Sequence, residues 1–278
     1  MATLIPRRGA RLKALPALVV TALVFAVPFL WMLTSAFKPE AEIYRWPLQW
    51  LPSEVVLDNF VRAWEAAPFD RFLVNSLVVT AVGATLKVVL AVFSAYAFAF
   101  LSFPGRNLLF VAVLGALMVP GHVTLLINYI TIGNLGLINT YAGIVLPGLA
   151  SAFGTFLLRQ HFLGLAPEVL EAAELDGAGH LRRLVHFVLP MSLPAVITVA
   201  LIAVIDEWND FIWPLLVTNS VQMRTLPIGL MYLKETEGVD QWGSIMAGTT
   251  FVVAPMLLLF LLAQRYIISG MAGAAARR

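Results

Sequence analysis

The 278-residue sequence contains no cysteine and few charged residues. The absence of cysteine excludes disulfides, thiolate metal sites and a cysteine nucleophile. Charged residues make up 12% of the chain, against about 25% in soluble domains. The formal net charge is only +2, and no basic run interleaves with aromatics. These shortages argue against a soluble domain and against nucleic acid as a partner.

Apolar residues are abundant instead, at 60% of the chain with a mean hydropathy of +0.87. A membrane-spanning helix needs about 20 largely apolar residues. Six windows meet that requirement: 14–37, 72–100, 108–129, 141–160, 193–217 and 245–268. They are continuously apolar, which favours helices over the alternating pattern of a β-barrel. We predict an all-α, polytopic membrane protein with six transmembrane helices, in which residues 1–278 form a single transmembrane domain.

The distribution of Lys and Arg predicts the orientation of these six spans. With both termini in the cytoplasm, the inner segments hold eleven of the 18 basic residues and the outer segments hold six, Lys87 being left out. Cytoplasmic loops are enriched in basic residues. We therefore expect a multi-pass protein of the cytoplasmic (inner) membrane with both termini inside. The segment 161–192 is then cytoplasmic, and 38–71 and 218–244 face outwards.

A polar segment interrupts the apolar sequence between the fourth and fifth spans, and residues 171–190 read EAAELDGAGHLRRLVHFVLP. Pro167 suits the first position of a helix, and the residues that follow are mostly good helix formers. Gly177 and Gly179 offer the left-handed backbone that ends a helix. We predict a short helix, a glycine corner and a second helical run that returns to the membrane.

One face of this short helix is acidic and apolar, because Glu168, Glu171 and Leu175 share it by helical spacing. Such a face on a helix tied to two spans suits docking into a groove on another protein. An ordinary solvated loop helix is the alternative, and the residues alone leave both interpretations open.

The fifth span contains the sequence DEWND at residues 206–210. A carboxylate at the bilayer centre costs about 2.5–3.5 kcal/mol, so these side chains cannot face lipid. On a continuous helix one stripe would hold Asp206, Asn209, Asp210 and Trp213, with Glu207 about 100° from Asp206. Acids and an amide can bond the hydroxyls of a polyhydroxylated ligand, and an indole can cover a sugar ring.

The same side chains could instead close a structural hydrogen-bond network between helices. Lys87, near the middle of the second span, is a candidate to neutralise Asp206 or Glu207. His122 and Asn128 in the third span could line the same pathway, although a membrane histidine is more often hydrogen-bonded inside the bundle. Substrate contact and a structural network both remain open.

Several motifs resemble those of a known transporter family. Matches to the EAA loop of binding-protein-dependent ABC importer permeases occur, at that loop's spacing, at Glu171, Ala172, Ala173, Gly177, Leu189 and Pro190. Further stretches resemble the carbohydrate-uptake branch, which includes the inner-membrane maltose permease subunits: NSLVVT at 75–80, SAYAFAFLSFPGRN at 94–107, LGLINTYAGIVLP at 135–147, FLLRQHF at 156–162, EWNDFIWPL at 207–215 and QRYIISGMAGA at 264–274.

The resemblance implies a cytoplasmic coupling helix that inserts into a cleft on an ATPase subunit. The residues that it assigns to ATPase coupling are Glu168, Glu171, Ala172, Ala173, Asp176, Gly177 and Pro190. It also implies a heterodimer with a second homologous permease subunit, two cytoplasmic ATPase subunits and an extracytoplasmic substrate-binding protein. Contact with that binding protein is expected at Glu235, Glu237 and Asp240 in the outer loop.

The sequence has no G-x-x-x-x-G-K-[ST] phosphate loop. We therefore expect no ATPase activity of its own, no catalytic residues, and no cofactor or metal bound by this chain. ATP and Mg²⁺ would belong to the partner ATPase. The function expected is that of an ATP-driven importer permease that moves a carbohydrate or related polyol-type solute by alternating access. Its substrate pathway is predicted to include Asp206, Glu207, Asn209, Asp210 and Trp213.

Two other functions were compatible with the residues. A stand-alone secondary transporter could use the intramembrane carboxylates as proton or cation relays, although the chain shows no internal hydropathy repeat of the kind common in such carriers. A polytopic membrane enzyme could use the carboxylates as acid and base groups, but no nucleophile or metal-ligand set is recognisable.

Overall fold

The computed structural model describes residues 8–236 and 241–275, and these ranges contain helices and turns but no strand. In chain order the α-helices are α1 (Arg8–Ala36), α2 (Glu40–Ile43), α3 (Asp58–Glu65), α4 (Phe69–Phe100), α5 (Arg106–Ala116), α6 (Leu125–Asn134), α7 (Tyr141–Val145), α8 (Ala152–Leu163), α9 (Pro167–Leu175), α10 (His180–Arg183), α11 (Leu189–Met191), α12 (Leu193–Asn209), α13 (Ile212–Val217), α14 (Leu226–Thr236) and α15 (Trp242–Ala275). Short 3-10 turns lie at Gly121–Thr124, Leu146–Gly148 and Val221–Met223, and a π-helical turn at Leu184–Val188 joins α10 to α11.

The chain divides into two compact units, one of Met1–Ala67 with Gly229–Ala254 and one of Pro68–Ile228 with Pro255–Arg278. In the first unit, the turn after α1 is held by polar contacts. The Asn59 amide donates to the carbonyls of Ala36 and Lys38, at 3.0 and 2.8 Å. Both carboxylate oxygens of Glu40 accept backbone N–H groups at the start of α15, which satisfies donors that a helix N-terminus leaves unpaired.

The second unit is built around α4, which packs against α8 and α12. Its main apolar cluster combines small residues of α4, such as Ala91 and Ala95, with Leu158 and Phe162 of α8. Small side chains on α4 let the neighbouring helices approach closely, as is usual in membrane bundles. The cluster also includes Leu184 and Val188 of the π-helical turn and Leu165 before α9. The segment that follows α9 is thus packed against a membrane-spanning helix.

Three helices are long and apolar enough to cross a membrane without interruption: Leu15–Ala36, Phe69–Phe100 and Trp242–Gln264. Three further candidates are bent pairs: Arg106–Ala116 with Gly121–Asn134, Tyr141–Gly148 with Ala152–Leu163, and His180–Met191 with Leu193–Asn209. The described residues therefore contain three spans, or six when each bent pair counts as one.

Three of the six predicted windows contain an interrupted helix: 108–129 and 141–160 each include a break, and α12 ends at Asn209 within 193–217. The pairs in 108–129 and 141–160 bend by 96° and 49°, and the pair His180–Met191 with Leu193–Asn209 bends by 85° just before the window 193–217. Pro120 and Pro147 lie at the first two breaks, and Pro194 follows the third. Proline removes a backbone donor and clashes with the preceding helical turn, so the apolar composition continues where the helix does not.

Candidate functional site

The central feature of the second unit is an ion pair between α4 and α12. The Lys87 ammonium lies 2.6 Å from Oε1 of Glu207, and the two side chains are 15% and 7% exposed. A buried charge is tolerated when an opposite charge accompanies it. Of the two carboxylates predicted as partners of Lys87, the structure selects Glu207.

Two glycines make room for this pair. A Cβ at Gly83, one helical turn before Lys87 on α4, would lie 2.7 Å from Cδ and 2.8 Å from Oε2 of Glu207. Gly148 also lies beside the pair, and a Cβ there would lie 3.6 Å from the Lys87 Nζ and 3.7 Å from Oε1 of Glu207. Glu207 therefore reaches Lys87 through a gap that any side chain at position 83 would fill.

A cavity of about 590 Å³ opens beside the ion pair. Its lining includes all five residues predicted for the substrate pathway: Asp206, Glu207, Asn209, Asp210 and Trp213. Lys87, His122 and Asn128 line it too. Charged and amide groups therefore converge on a space large enough for a small solute.

A second cavity, also of about 590 Å³, shares Lys87, Gly148 and Asp206 with the first. The rest of its wall is mostly apolar, with Ser151 as a polar exception, and comes from α12, from α5 and the turn after it, and from α8 and the residues just before it. Asp206 is therefore the carboxylate that faces both cavities.

The predicted stripe along one continuous helix is wrong, although its residues still meet at the cavity. Helix α12 ends at Asn209, and Asp210 has extended backbone angles (φ −66°, ψ 120°). The Asp210 carboxylate faces the backbone N–H groups of Phe211 and Trp213 at the start of the next helix. The break brings Asp210 and Trp213 to the cavity by a change of chain direction rather than by helical spacing.

Two of the side chains predicted to contact substrate donate hydrogen bonds to backbone carbonyls of the protein itself. The Trp213 indole N–H donates to the carbonyls of Gly143 and Ile144, at 3.2 and 3.0 Å, and the side chain is buried. The Asn209 amide donates to the Ile205 carbonyl one turn earlier, at 2.8 Å. These two side chains help to shape the cavity wall, whereas Asp206 is exposed to the cavity.

Within residues 8–236 and 241–275, no group of three or more His, Asp or Glu side chains is arranged to hold a metal ion.

The second functional candidate is helix α9, which contains most of the EAA-like residues. Pro167 occupies its first turn as predicted. Gly177 has φ +76°, and the N–H groups of Gly177 and Ala178 return to the carbonyls of Glu174 and Ala173. This is a Schellman end, which favours glycine at the left-handed position. The same expectation for Gly179 is wrong, because its backbone is extended (φ −64°, ψ 167°).

Most predicted coupling residues are exposed on α9 and the segment after it. The exposed members are Glu168, Glu171, Ala172, Asp176, Gly177 and Pro190. Ala173 is buried, so that side of α9 packs inward. Leu175 is 89% exposed, which leaves an apolar side chain beside the acidic face. The exposed face has the mixed character that was predicted for a docking surface.

A polar cluster behind α9 was not predicted. Arg183 of α10 lies 2.6 Å from the Glu174 carboxylate and 2.8 Å from Nδ1 of His180. The Tyr96 hydroxyl of α4 lies 3.3 Å from the same Nδ1. Because a guanidinium only donates hydrogen bonds, Nδ1 is the acceptor of both contacts. The cluster links α9, α10 and α4 beside a cleft of about 440 Å³ that Glu171 also lines.

The predicted binding-protein contacts are only partly covered by the structure. Glu235 lies in α14, while Glu237 and Asp240 lie outside the described residues. Their proposed role stays a prediction.

Sequence reasoning missed Gly83 and Tyr96. Gly83 precedes Lys87 by four residues, and that helical spacing could have marked it as the neighbour of whatever pairs with Lys87. Tyr96 lies in a quoted motif, but nothing in its spacing signals contact with His180, which is 84 residues away.

Residues 87–273, more than half of the chain, match the sequence profile of a family described as "Binding-protein-dependent transport system inner membrane component". The probable ABC transporter permease protein YurM of Bacillus subtilis (strain 168) is 35% identical over 259 residues, which cover 92% of this chain and 85% of that protein. The sn-glycerol-3-phosphate transport system permease protein UgpE of Yersinia pestis bv. Antiqua (strain Antiqua) is 32% identical over 272 residues, which cover 95% and 97% respectively.

A solved structure has a similar fold. It is described as a bacterial ABC transporter involved in the import of the acidic polysaccharide alginate, and it superposes with a TM-score of 0.79. The match covers 95% of this chain and 99% of that one, at 21% identity. At that identity the similarity concerns the fold alone.

Proposed function

Because the chain belongs to the family of binding-protein-dependent transport system inner membrane components, we propose that it is one permease subunit of an ATP-driven importer. Its solute is a carbohydrate or a related polyol. Two homologous permease subunits form the pathway, two ATPase subunits drive it from the cytoplasm, and an extracytoplasmic binding protein delivers the solute. Alternating access then exposes the site first to the outside and later to the inside.

The polar cavity is the observation that supports this proposal. It lies beside the ion pair of Lys87 and Glu207, between helices that are otherwise apolar. Ionisable groups inside a membrane are rare and usually mark a transport pathway. Hydroxyl groups of a polyol can donate to Asp206 and accept from Lys87, which gives the cavity matching chemistry for such a solute.

The names of one relative and of the similar solved structure support a polyol as the class of solute. UgpE is named for transport of sn-glycerol 3-phosphate, and the similar solved structure is described as an alginate importer. Both solutes carry several hydroxyl groups. The shared feature that we extend to this chain is the polyol framework.

Energy coupling is assigned to the exposed face of α9. The chain has no phosphate loop, so ATP and Mg²⁺ are bound by the partner ATPase. Glu168 and Glu171 provide charge on the face and Leu175 provides apolar area. We assign this face to the ATPase contact because the packed segment behind it connects directly to α4 through Leu184 and Val188.

The test is ATP hydrolysis by the reconstituted complex, purified through this chain with its partner permease, ATPase and binding protein. Solutes to be compared are maltose, maltotriose, sorbitol and sn-glycerol 3-phosphate. We expect at least one of them to stimulate hydrolysis several-fold. Glu171→Arg should abolish the stimulation, and Asp70→Asn, an exposed position at the far end of α4, should leave it intact.

The outcomes separate the proposed function from its alternative. Stimulated hydrolysis that depends on Glu171 supports the importer. If no ATPase co-purifies and a proton gradient drives uptake instead, the proposal fails, and the chain is a secondary transporter that uses its intramembrane carboxylates.

A further inference from the structure

The charges around the two cavities do not balance. Lys87 is paired with Glu207 at 2.6 Å, so its charge is compensated by that carboxylate. Asp206 and Asp210 also line the first cavity. Among the described residues, neither of them lies within ion-pair distance of a Lys or Arg side chain. With the carboxylates ionised, the lining carries an excess of negative charge.

The two uncompensated carboxylates differ in what surrounds them. Asp210 faces the backbone N–H groups of Phe211 and Trp213 at the helix break, so its oxygens are partly used to begin α13. Asp206 belongs to the last turns of α12 and is exposed. Asp206 is therefore the carboxylate with oxygens available to a solute.

The position of Asp206 adds a second observation. It lines both cavities, and Lys87 and Gly148 are the other residues that the two linings share. Asp206 is therefore within reach of a solute in either cavity. The wall of the second cavity is mostly apolar, so little else there would compensate an ionic group on the solute.

We propose that Asp206 is the specificity-determining residue of the pathway, and that it selects uncharged or cationic polyols over phosphorylated or carboxylated ones. A carboxylate accepts hydrogen bonds from sugar hydroxyls and from ammonium groups, whereas it repels phosphate and uronate groups. A solute in the cavity lies within a few ångströms of Asp206, well inside the Debye length of about 8 Å, so salt screens this repulsion only weakly. The inference rests on the proposed function and narrows its solute class.

The inferred solute class differs from those named for the similar proteins. UgpE is named for a phosphate ester, and the similar solved structure imports an acidic polysaccharide. We therefore infer that this chain shares their fold but handles solutes of a different charge.

The experiment compares wild-type and Asp206→Asn complexes that carry the same partner permease, ATPase and binding protein. Solute-stimulated ATP hydrolysis is measured with maltose, maltotriose, glucosamine, sn-glycerol 3-phosphate and an alginate trisaccharide. Because the other subunits are identical, their own selectivity cancels when the two complexes are compared. Asp70→Asn removes a carboxylate from the exposed start of α4 and serves as the matched control.

In wild type we expect the neutral or cationic solutes to stimulate hydrolysis at least tenfold more than the two anionic ones. Asp206→Asn should reduce that preference at least fivefold, and Asp70→Asn should leave it unchanged. Equal stimulation of wild type by sn-glycerol 3-phosphate, or an unchanged preference in Asp206→Asn, would overturn the inference and leave the importer function standing. If none of the five solutes stimulates wild type, the proposed function and the inference both fail.

Discussion

Lys87 of α4 and Glu207 of α12 form an ion pair of 2.6 Å that joins two packed helices. Lys87 lines two cavities of similar size, and Asp206 lines both of them as well. Of the two alternatives that the sequence left open, Glu207 takes part in a contact between helices, and Asp206 lines the cavity that we propose as the substrate pathway.

Removing the charge of one partner of this pair should lower the free energy of unfolding more than removing both charges. Lys87→Met leaves Glu207 buried without its counter-charge, which in buried pairs costs about 3–5 kcal/mol. The double variant Lys87→Met with Glu207→Gln removes both charges and should recover most of that loss. The measurement is the unfolding temperature of the purified protein in detergent. A double variant no more stable than Lys87→Met would contradict a direct interaction between the two side chains.

Gly83 should be intolerant of even a methyl group. In Gly83→Ala the new Cβ would meet the Glu207 carboxylate at 2.7–2.8 Å, so the carboxylate must move away from Lys87. Overpacking of this kind costs about 1–3 kcal/mol. The control is Gly115→Ala in α5, where a Cβ meets nothing within 4 Å and alanine is the better helix former by about 1 kcal/mol. Equal unfolding temperatures for the two variants would rule out this close packing.

Much of the fold could be predicted from composition and local chemistry. The resemblance to importer permeases and the all-α polytopic class are confirmed by the family match and the similar fold. Pro167 and Gly177 mark the two ends of α9 because their backbone preferences are local properties. Hydropathy also predicted the three continuous candidate spans to within a few residues. It can do so because it depends only on the free energy of transferring each side chain into lipid.

The parts that could not be predicted depend on contacts between distant residues. Hydropathy cannot detect the breaks near Pro120 and Pro147, because the apolar composition continues across them. Helical spacing placed Trp213 on the stripe of Asp206, but the chain turns at Asp210. Tyr96 meets His180 only because α4 and α10 pack together, and no local pattern encodes that approach.

Gly177 should be replaceable only by a residue that tolerates a left-handed backbone. Its φ of +76° costs most residues about 1–2 kcal/mol, so Gly177→Val should distort the end of α9 and reduce solute-stimulated ATP hydrolysis. Gly177→Asn should retain most of the stimulation, because asparagine is also found at this position.

Gly179→Ser is the control for Gly177. Gly179 is extended and precedes α10, where serine is a favoured N-cap. The stimulation of Gly179→Ser should therefore match wild type. If Gly177→Val and Gly179→Ser behaved alike, backbone geometry at Gly177 would have no part in coupling.

Arg183 should matter for the orientation of α9 more than for overall stability. Its ion pair reaches Glu174, which is largely exposed, and exposed pairs contribute about 0.2–1 kcal/mol. Arg183→Gln removes this pair and the strong bond to His180, so the unfolding temperature should change little while solute-stimulated hydrolysis falls several-fold. Arg182→Gln, at an exposed neighbour on α10, is the matched control. The orienting role is refuted by an Arg183→Gln complex that hydrolyses ATP like wild type.

Glu42 should make the loop after α1 sensitive to acid. The Ser53 hydroxyl and backbone N–H donate to its carboxylate and hold the pKa of Glu42 below its ordinary 4.5. A depressed carboxyl pKa stabilises the folded state above the unfolded value, and this contribution is lost as pH falls through the folded pKa. Burial lowers the pKa of the adjacent Lys38 ammonium from its ordinary 10.5.

The acid sensitivity can be isolated by comparing wild type with Glu42→Gln. Wild type should be the more stable of the two at pH 7, and the difference in unfolding temperature should shrink as pH falls below 4.5. Glu54→Gln changes an exposed carboxylate in the same loop and should follow the wild-type curve throughout. A difference between wild type and Glu42→Gln that stays constant from pH 7 to below 4 would show that ionisation of Glu42 does not stabilise the loop.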